Sequence, residues 1–216
     1  WKQSIPQQEK GRKFEEKYAQ LQYMFVGGEI EKLSEVKADR QKESARIKWI
    51  AYKDQFFSTV LIANDAFEST EMESTPLNVH SKYIKEYTTT ATIPFDITGK
   101  KSTDLTYYFG PNHYNTLKAY DDNLEGDNRL HLNELVPLGW KIVAWINKAL
   151  VIPMFNLFTK WGLHIGIVIL LMTLVIKLII LPFVFASYKS SAKMRVLKPQ
   201  LDEINEKYPP EKMQER

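Results

Sequence analysis

Hydrophobic residues are distributed unevenly along the chain. Up to Pro137 they occur in short runs rich in aromatic and β-branched residues, such as LQYMFVGG and LTYYFGPN, separated by stretches with Gly, Pro and Asn. This pattern is typical of strands joined by turns, and it predicts an antiparallel sheet or sandwich. GEIEKLSEVKADRQKESAR lacks a continuous apolar face, so we expect a solvated hairpin or loop there. NHYNTLKAY is expected to form a short helix after the Gly110-Pro111 turn.

The pattern changes after Pro137. In LGWKIVAWINKAL the polar or small residues Lys141, Ala144, Asn147 and Lys148 share one helical face, and apolar residues cover most of the rest. Such an amphipathic helix, with two tryptophans and two lysines, is suited to a membrane interface. For this segment taken alone, a helix packed against its own domain is an equally good explanation.

The next segment, from Ile165 to Ala186, carries one charge in 22 residues. Crossing a bilayer takes about 20 residues in a helix, so this segment predicts a transmembrane helix. Pro182 lies within its last turns, where neighbouring groups can satisfy the freed carbonyl and the helix can kink.

Beyond the predicted span, apolar residues recur at intervals of 3, 4, 3 and 4. This spacing is a heptad seam, and it predicts a helix that requires a partner helix against it. The seam residues are Met194, Leu197, Leu201, Ile204 and Tyr208. Pro209-Pro210 is expected to end this helix.

Basic residues give a slight preference for one orientation of the span. Four follow it and three precede it: Lys189, Lys193, Arg195 and Lys198 after it, and Lys141, Lys148 and Lys160 before it. Because cytoplasmic flanks are enriched in Lys and Arg, the C-terminal side is expected in the cytoplasm and the β-rich part outside it.

Lys177 is the single charge in the apolar segment, where hydrocarbon disfavours it by a few kcal/mol. At 100° per residue, Gly162, Gly166, Thr173 and Lys177 fall within about 60° of one another, which predicts one small and polar face. The alternative is a snorkelling lysine that only reaches the headgroups. The basic cluster beginning at Lys189 is about 18 Å farther along the helix, a long reach for one side chain. The residues therefore favour a lysine that faces a cavity.

Composition excludes several other functions. The net charge is only +3 and no stretch is dominated by Lys and Arg, so nucleic-acid binding is not expected. The chain has no cysteine, no G-x-S-x-G turn and no phosphate-loop pattern, and its histidines lack the pairing of a metal site. These histidines are His80, His113, His131 and His164. We therefore predict no enzyme activity, no metal and no cofactor.

The run from Trp161 to Leu201 resembles the YidC family of membrane protein insertases. That family combines a basic residue in a transmembrane helix, here Lys177, with a proline five positions on and a segment similar to YKSSAKMRVLKP. Upstream, FGPNHYNTLKAY and LGWKIVAWINKALVIPMFNLFTKWG look like the end of the large periplasmic domain and the interfacial helix of Gram-negative members. IKWIAYKDQFFSTVLIA similarly looks like a strand of that domain.

The resemblance implies a β-rich extracytoplasmic domain, an antiparallel β-sandwich, followed by an α-helical membrane region. Its parts are the C-terminal part of the periplasmic sandwich (1–136), an amphipathic interfacial helix and connector (137–160), a transmembrane helix (161–186) and the start of a cytoplasmic helical hairpin (187–216). The interfacial anchors would be Trp140, Lys141, Trp145 and Lys148.

The resemblance also implies a mechanism. Members form a water-containing groove in the cytoplasmic leaflet of the bacterial inner membrane, and its basic residue attracts acidic or polar parts of a nascent membrane protein. Lys177 would be that residue, and Thr173 could help to hydrate the groove, although a threonine bonded to its own backbone is as good an explanation. The family usually has arginine there, and lysine keeps the charge but loses the bidentate fork. Expected partners are nascent membrane proteins, the Sec translocon, lipid, and ribosomes or targeting factors.

A second hypothesis is a periplasmic binding or sensing domain held by a single anchor, with Lys177 merely snorkelling. An insertase needs further transmembrane helices, because one helix cannot enclose a groove. We therefore expect that the chain is a fragment, without an N-terminal signal-anchor helix, the first strands of the sandwich and the remaining core helices. A periplasmic enzyme would require a catalytic cluster assembled from residues that are scattered in the sequence.

Overall fold

The computed structural model describes residues 1–207, including all of their side chains except those of residue 127 and residues 203–207. It divides the chain into two compact units, one from Trp1 to Pro137 and one that begins at Leu138. The prediction for Tyr208 and the following prolines lies outside the described residues.

The first unit is built mainly from nine strands. They are β1 (Lys2–Pro6), β2 (Gln20–Phe25), β3 (Ile30–Lys32), β4 (Asp39–Glu43), β5 (Ile47–Lys53), β6 (Phe57–Phe67), β7 (Ser69–Pro76), β8 (Tyr83–Thr92) and β9 (Leu105–Pro111). Two short helices accompany them, α1 (Arg12–Tyr18) and α2 (Tyr114–Lys118). Three 3-10 turns follow, at Ala119–Asp121, Gly126–Asn128 and Leu132–Leu135.

The strands form two antiparallel sheets, which confirms the predicted fold class. Sheet A has the order β1-β8-β7-β4, and sheet B has the order β3-β2-β5-β6-β9. The segment IKWIAYKDQFFSTVLIA, expected as a single strand, is instead the β5–β6 hairpin. Its turn is held by the Asp54 carboxylate, which accepts hydrogen bonds from the backbone N–H groups of Phe56 and Phe57 at 2.7 and 2.5 Å. The charged stretch after Gly28 contains the short strands β3 and β4, and the predicted helix in NHYNTLKAY is α2.

The central strands of sheet B, β2, β5 and most of β6, are buried on both faces. Its alternate residues, such as Ile50 and Tyr52, belong to the core between the two sheets, to which Ile84 and Tyr87 of sheet A also belong. The intervening residues, such as Trp49, face a second core. This outer core is closed by the last part of the unit, through Leu117, Leu130, Leu132 and Leu135. The Trp49 indole N–H donates to the Leu130 carbonyl at 2.6 Å and so fixes this covering segment on the sheet.

Lys85 is a charged residue buried within the sandwich. Its Nζ donates to the carbonyls of Glu16, Ala19 and Glu35 at 3.0, 2.6 and 2.6 Å. Three carbonyls at these distances replace much of the lost hydration of the ammonium group. Burial nevertheless lowers the pKa of Lys85 to about 8, and it does the same for Lys53.

The stability of the first unit is expected to peak at about pH 10. Between pH 8 and 10.5 the unfolded chain keeps the protons of Lys53 and Lys85 while the folded unit releases them, so stability rises with pH. Burial raises the pKa of Tyr52 and Tyr87 well above 10. Above pH 10 the unfolded tyrosines therefore lose protons that the folded ones keep, and stability falls.

The measurement is the denaturant concentration at which half of the first unit is unfolded, determined at a series of pH values. Unfolding is detected as a loss of protease resistance of the chain in detergent. Lys85→Met keeps the aliphatic stem and removes the titrating group. It should lower stability overall and also reduce the rise between pH 8 and 10. A midpoint that falls steadily from pH 7 to 10 would contradict the assignment of the rise to the two lysines.

The second unit is helical. Its helices are α3 (Lys141–Ile146), a π-helical turn (Asn147–Val151), α4 (Ile152–Lys160) and α5 (Ile165–Lys207). Residues 161–164 form a turn between α4 and α5, in which Gly162 has a left-handed φ of 69°. Gly162 therefore does not share a helical face with Thr173 and Lys177, and this part of the prediction is wrong because the helix starts only after the glycine. Within the described residues α5 is not interrupted between 186 and 187.

Candidate functional site in the apolar helices

Residues Lys141–Lys160 form one helical stretch with large exposed apolar side chains. Trp140 at its N-terminal cap is 79% exposed, Trp145 is 69% exposed and Ile142 is 67% exposed. Lys141 and Lys148 are exposed as well. An exposed surface of tryptophan, isoleucine and lysine fits a membrane interface better than water, because indole rings and lysine stems suit the headgroup level. Trp140, Lys141, Trp145 and Lys148 remain the predicted interfacial anchors.

The π-helical turn in this stretch was not predicted from the sequence. Pro153 follows it at the start of α4 and has no N–H to donate to the carbonyl of Ala149, four residues earlier. A wider turn ahead of a proline is a known way to accommodate its ring and the unbonded carbonyl. Pro153 was the signal that could have indicated it.

Helix α4 packs against the first turns of α5. Met154 and Phe158 of α4 and Val168 of α5 are buried together. Partly buried residues surround them: Phe155, Leu163, Leu171, Met172, Val175 and Ile176. The contacting residues of α5 define one face of that helix, here called the α4 face.

Lys177 lies on the opposite side of α5. At 100° per residue, the direction shared by Thr173 and Lys177 is about 150° from the centre of the α4 face. The Lys177 side chain is exposed, and no described residue forms a hydrogen bond or ion pair with it. The lysine is therefore placed where water or an additional helix can approach it.

Thr173 is one turn before Lys177 on the same face. Its hydroxyl donates to the carbonyl of Ile169 at 2.8 Å, the backbone bond that threonine commonly forms in helices. The hydroxyl oxygen retains acceptor capacity, so this bond is compatible with water nearby.

Helix α5 is longer than a membrane is thick. Its 43 residues correspond to roughly 65 Å, about twice the ~30 Å of a hydrocarbon core. Two helical stretches, Lys141–Lys160 and Ile165–Asp202, are long and apolar enough to cross a membrane, a criterion of length and composition alone. If the apolar residues from Ile165 to Ala186 span the bilayer, Lys177 lies about 18 Å from the start of the helix, slightly beyond the middle.

The predicted seam continues on the polar part of α5. Met194, Leu197 and Leu201 are 59%, 47% and 43% exposed, so in the described structure no helix covers them. Ile204 lies in the helix, but its side chain is outside the described set, as is all of Tyr208. The interfacial residues, the side of α5 that carries Lys177 and the seam do not form one cluster. They follow one another along the helical stretch Lys141–Lys160 and then along α5.

His80, His113 and His131 lie in the first unit, whereas His164 lies in the turn between α4 and α5. The imidazole rings of two of the four form hydrogen bonds with residues close to them in the sequence. The ring Nδ1 of His113 is 2.8 Å from the Thr116 hydroxyl, and His164 Nδ1 accepts from the Gly166 N–H at 3.3 Å. Among the described residues, no group of three or more histidine, cysteine or acidic side chains is placed to hold a metal ion.

Two family models match the chain, one after the other. The model described as "YidC periplasmic domain" matches residues 1–153, and the model described as "60Kd inner membrane protein" matches residues 155–216. The first therefore covers the β-sandwich unit together with α3 and the π-helical turn, and the second covers most of α4 and all of α5.

Relatives named "Membrane protein insertase YidC" align with nearly the whole chain. The protein of Parabacteroides distasonis is 49% identical over 97% of this chain and 33% of its own length. Those of Bacteroides fragilis and Porphyromonas gingivalis are 47% and 39% identical, each over 97% of this chain and 34% of its own length. The chain thus spans about a third of the length of these relatives. From the matched family models, which together cover its β-sandwich and its apolar helices, the chain belongs to the YidC family of inner membrane proteins with a periplasmic domain.

Proposed function

We propose that the full-length protein inserts integral membrane proteins into the bacterial inner membrane and assists their folding, and that Lys177 supplies a positive charge to a hydrophilic groove on α5. The observation that carries this proposal is the position of Lys177, a charged side chain near the middle of the apolar part of α5, on the side away from α4. The names of the relatives support the same activity.

The charge has a physical role in this process. An acidic or polar segment that crosses hydrocarbon without help is disfavoured by several kcal/mol. A fixed positive charge partway across, in a pocket that also holds water, attracts such a segment and shortens the apolar distance it has to cross. The segment's hydrophobic part then leaves sideways into lipid along the apolar surface of α5. No bond is made or broken, and no nucleotide or cofactor is required.

A groove requires more than the helices present here. The lysine side of α5 and the seam of Met194, Leu197 and Leu201 both remain uncovered among the described residues. In the proposal, the lysine side is enclosed by helices that lie in the part of the relatives outside the matched region, and the seam packs against the second half of a cytoplasmic hairpin. Nascent membrane proteins are the substrates, and the protein acts alone or with the Sec translocon, receiving substrates from ribosomes or targeting factors.

Reconstitution into liposomes tests this function. Liposomes with the purified full-length protein are expected to protect a single-span substrate with an acidic translocated tail from external protease, several-fold above protein-free liposomes. Liposomes with the 216-residue chain alone should give only the protein-free level, since α4 and α5 cannot enclose a groove. Equal protection with and without the full-length protein would contradict the proposed function and favour a single-anchor binding domain.

A further inference from the structure

The loop between β8 and β9 carries two apolar side chains that project from the sandwich. Phe95 is 79% exposed and Ile97 is 92% exposed, the highest value among the large apolar residues that the structure describes. They flank Asp96 in the sequence TIPFDITGKK, and residues 95–97 are here called the loop tip. Single exposed apolar residues are ordinary, but two at the end of one loop, both almost fully exposed, indicate a surface that contacts another apolar phase.

The loop tip is held in place by hydrogen bonds within the loop. The Asp96 carboxylate accepts from the backbone N–H groups of Thr98, Lys100 and Lys101 at 2.8, 3.0 and 3.0 Å. It also accepts from the Thr98 hydroxyl at 2.7 Å, and the Gly99 N–H donates to the Asp96 carbonyl at 3.1 Å. The one charged side chain of the tip is therefore bonded within the loop. Because these polar groups already have partners, moving the tip out of water costs less than it would for an open loop.

The loop tip lies at the same end of the sandwich as the β2–β3 turn. The end of β8 is bonded to the β6–β7 connection, since the Glu68 N–H donates to the Thr92 carbonyl at 2.9 Å. Phe67, just before that connection, pairs with Ile47 at the start of β5, and Ile47 also pairs with Phe25 at the end of β2. These pairings place the β2–β3 turn and the loop after β8 together.

The last residues of the first unit pack at this end as well. The Leu130 carbonyl accepts the hydrogen bond of Trp49, which is close to the start of β5. A Cβ at Gly28, in the β2–β3 turn, would lie 3.8 Å from the ring of His131, so this ring packs beside the turn. The unit ends a few residues later, at Pro137, and the apolar helical stretch follows. The chain therefore leaves the sandwich near the end that carries the loop tip.

The charges around the loop tip suit a phospholipid surface. Lys100 is exposed and forms no ion pair with a described residue, whereas Lys101 is paired with Asp65 at 3.0 Å. A free lysine beside apolar side chains can keep its ammonium group at the level of the phosphates while the apolar groups enter the interface. Exposed Glu68 and Asp104 at the same end limit any attraction to anionic lipid. We therefore expect the apolar pair to contribute more to the contact than the charge does.

We propose that the loop tip inserts into the periplasmic leaflet of the inner membrane, with Phe95 and Ile97 below the phosphates and Lys100 among them. The partner is the lipid surface itself. The sandwich is then held to the bilayer at a second point besides its polypeptide connection, which restricts its tilt. This contact is independent of the insertase function, because it requires only a sandwich tethered to a membrane.

Lipid quenching of a fluorophore in the full-length protein tests the proposal. Ile97→Cys is labelled with nitrobenzoxadiazole in a cysteine-free background and reconstituted into vesicles of phosphatidylcholine and phosphatidylglycerol. Some vesicles also contain a lipid with a nitroxide just below the headgroup. The matched control is Val79→Cys in the β7–β8 turn, which is 75% exposed and lies at the opposite end of β8, about 33 Å away. The nitroxide lipid is expected to quench the label at position 97 at least threefold more than the label at position 79.

A second substitution shows whether the apolar side chains cause the contact. Phe95→Ser in the labelled Ile97→Cys protein is expected to reduce the quenching at least twofold, whereas Lys100→Gln should reduce it less. Protease resistance of the first unit equal to that of the unaltered protein shows that each variant is folded.

Three results would overturn the proposal. Equal quenching at positions 79 and 97 would mean that the loop tip has no preferred contact with lipid. A blue-shifted emission at position 97 without quenching by the nitroxide lipid would mean that protein covers the tip. Quenching that Phe95→Ser leaves unchanged would mean that the label itself enters the lipid.

Discussion

Replacing Lys177 by alanine or glutamate in the full-length protein is expected to reduce insertion of a substrate with an acidic translocated tail by roughly tenfold or more. Arginine at the same position is expected to retain most of the activity. A loss of about 1.4 kcal/mol in the attraction between the groove and the acidic segment corresponds to a factor of ten. Glutamate should be worse than alanine, because it adds repulsion. Arginine restores the charge, although its planar fork differs from the lysine ammonium.

The assay is insertion in cells depleted of the endogenous insertase, measured by protease accessibility of the substrate tail. The sharpest control is the double variant K177L/L178K, which keeps the charge at nearly the same depth but rotates it by about 100° around α5. It should lose activity if the charge has to face the groove. Thr173→Val is expected to stay within about twofold, since the threonine hydroxyl is bonded to its own backbone.

The alternative result is that the Lys177→Ala and Lys177→Glu proteins remain stably in the membrane and keep full activity. That result would show that Lys177 only extends to the headgroups and has no role in insertion. Activity of the rotated double variant equal to that of the unaltered protein would show that depth matters and direction does not.

Trp49→Ala is expected to destabilise the first unit by about 3–5 kcal/mol, the usual cost of removing a large buried aromatic side chain. Trp49 is fully buried in the outer core, and its indole donates the 2.6 Å bond to the Leu130 carbonyl. Trp49→Phe keeps most of the apolar area but leaves that buried carbonyl without its donor, at a cost of about 1–3 kcal/mol.

Pulse proteolysis of the chain in detergent, over a range of urea concentrations, measures both effects. Trp145→Ala is the matched control, because Trp145 is 69% exposed and lies in the second unit. It should change the free energy of unfolding of the first unit by no more than about 0.5 kcal/mol. A loss below 1 kcal/mol for Trp49→Ala would mean that the segment from α2 to Leu135 does not depend on this anchor.

The sequence allowed the prediction of the fold class because aromatic and β-branched runs alternate with turn residues. It did not show the β5–β6 hairpin, because the turn has no glycine and depends on the side chain of Asp54. Burial of β5 on both faces also removes the polar alternation that usually marks a strand. In IKWIAYK even the final lysine is buried.

For the candidate site, the sequence indicated Lys177 from its charge alone, since a single lysine among apolar residues is visible without a structure. Which side of α5 it occupies relative to α4 depends on how Met154, Phe158 and Val168 pack together, and no local pattern contains that information.

The uninterrupted course of α5 has a mechanical consequence. Within this helix Pro182 removes the hydrogen bond that the Leu178 carbonyl would otherwise accept, only five residues from Lys177. Bending is easiest at such a point. From Pro182 to Leu201 is about 28 Å of helix, so a bend of about 10° there corresponds to a displacement of about 5 Å at Leu201. The polar end of α5 is thus a lever whose pivot lies close to Lys177, so a force applied to this end bends the helix next to the lysine without any contact with the lysine itself.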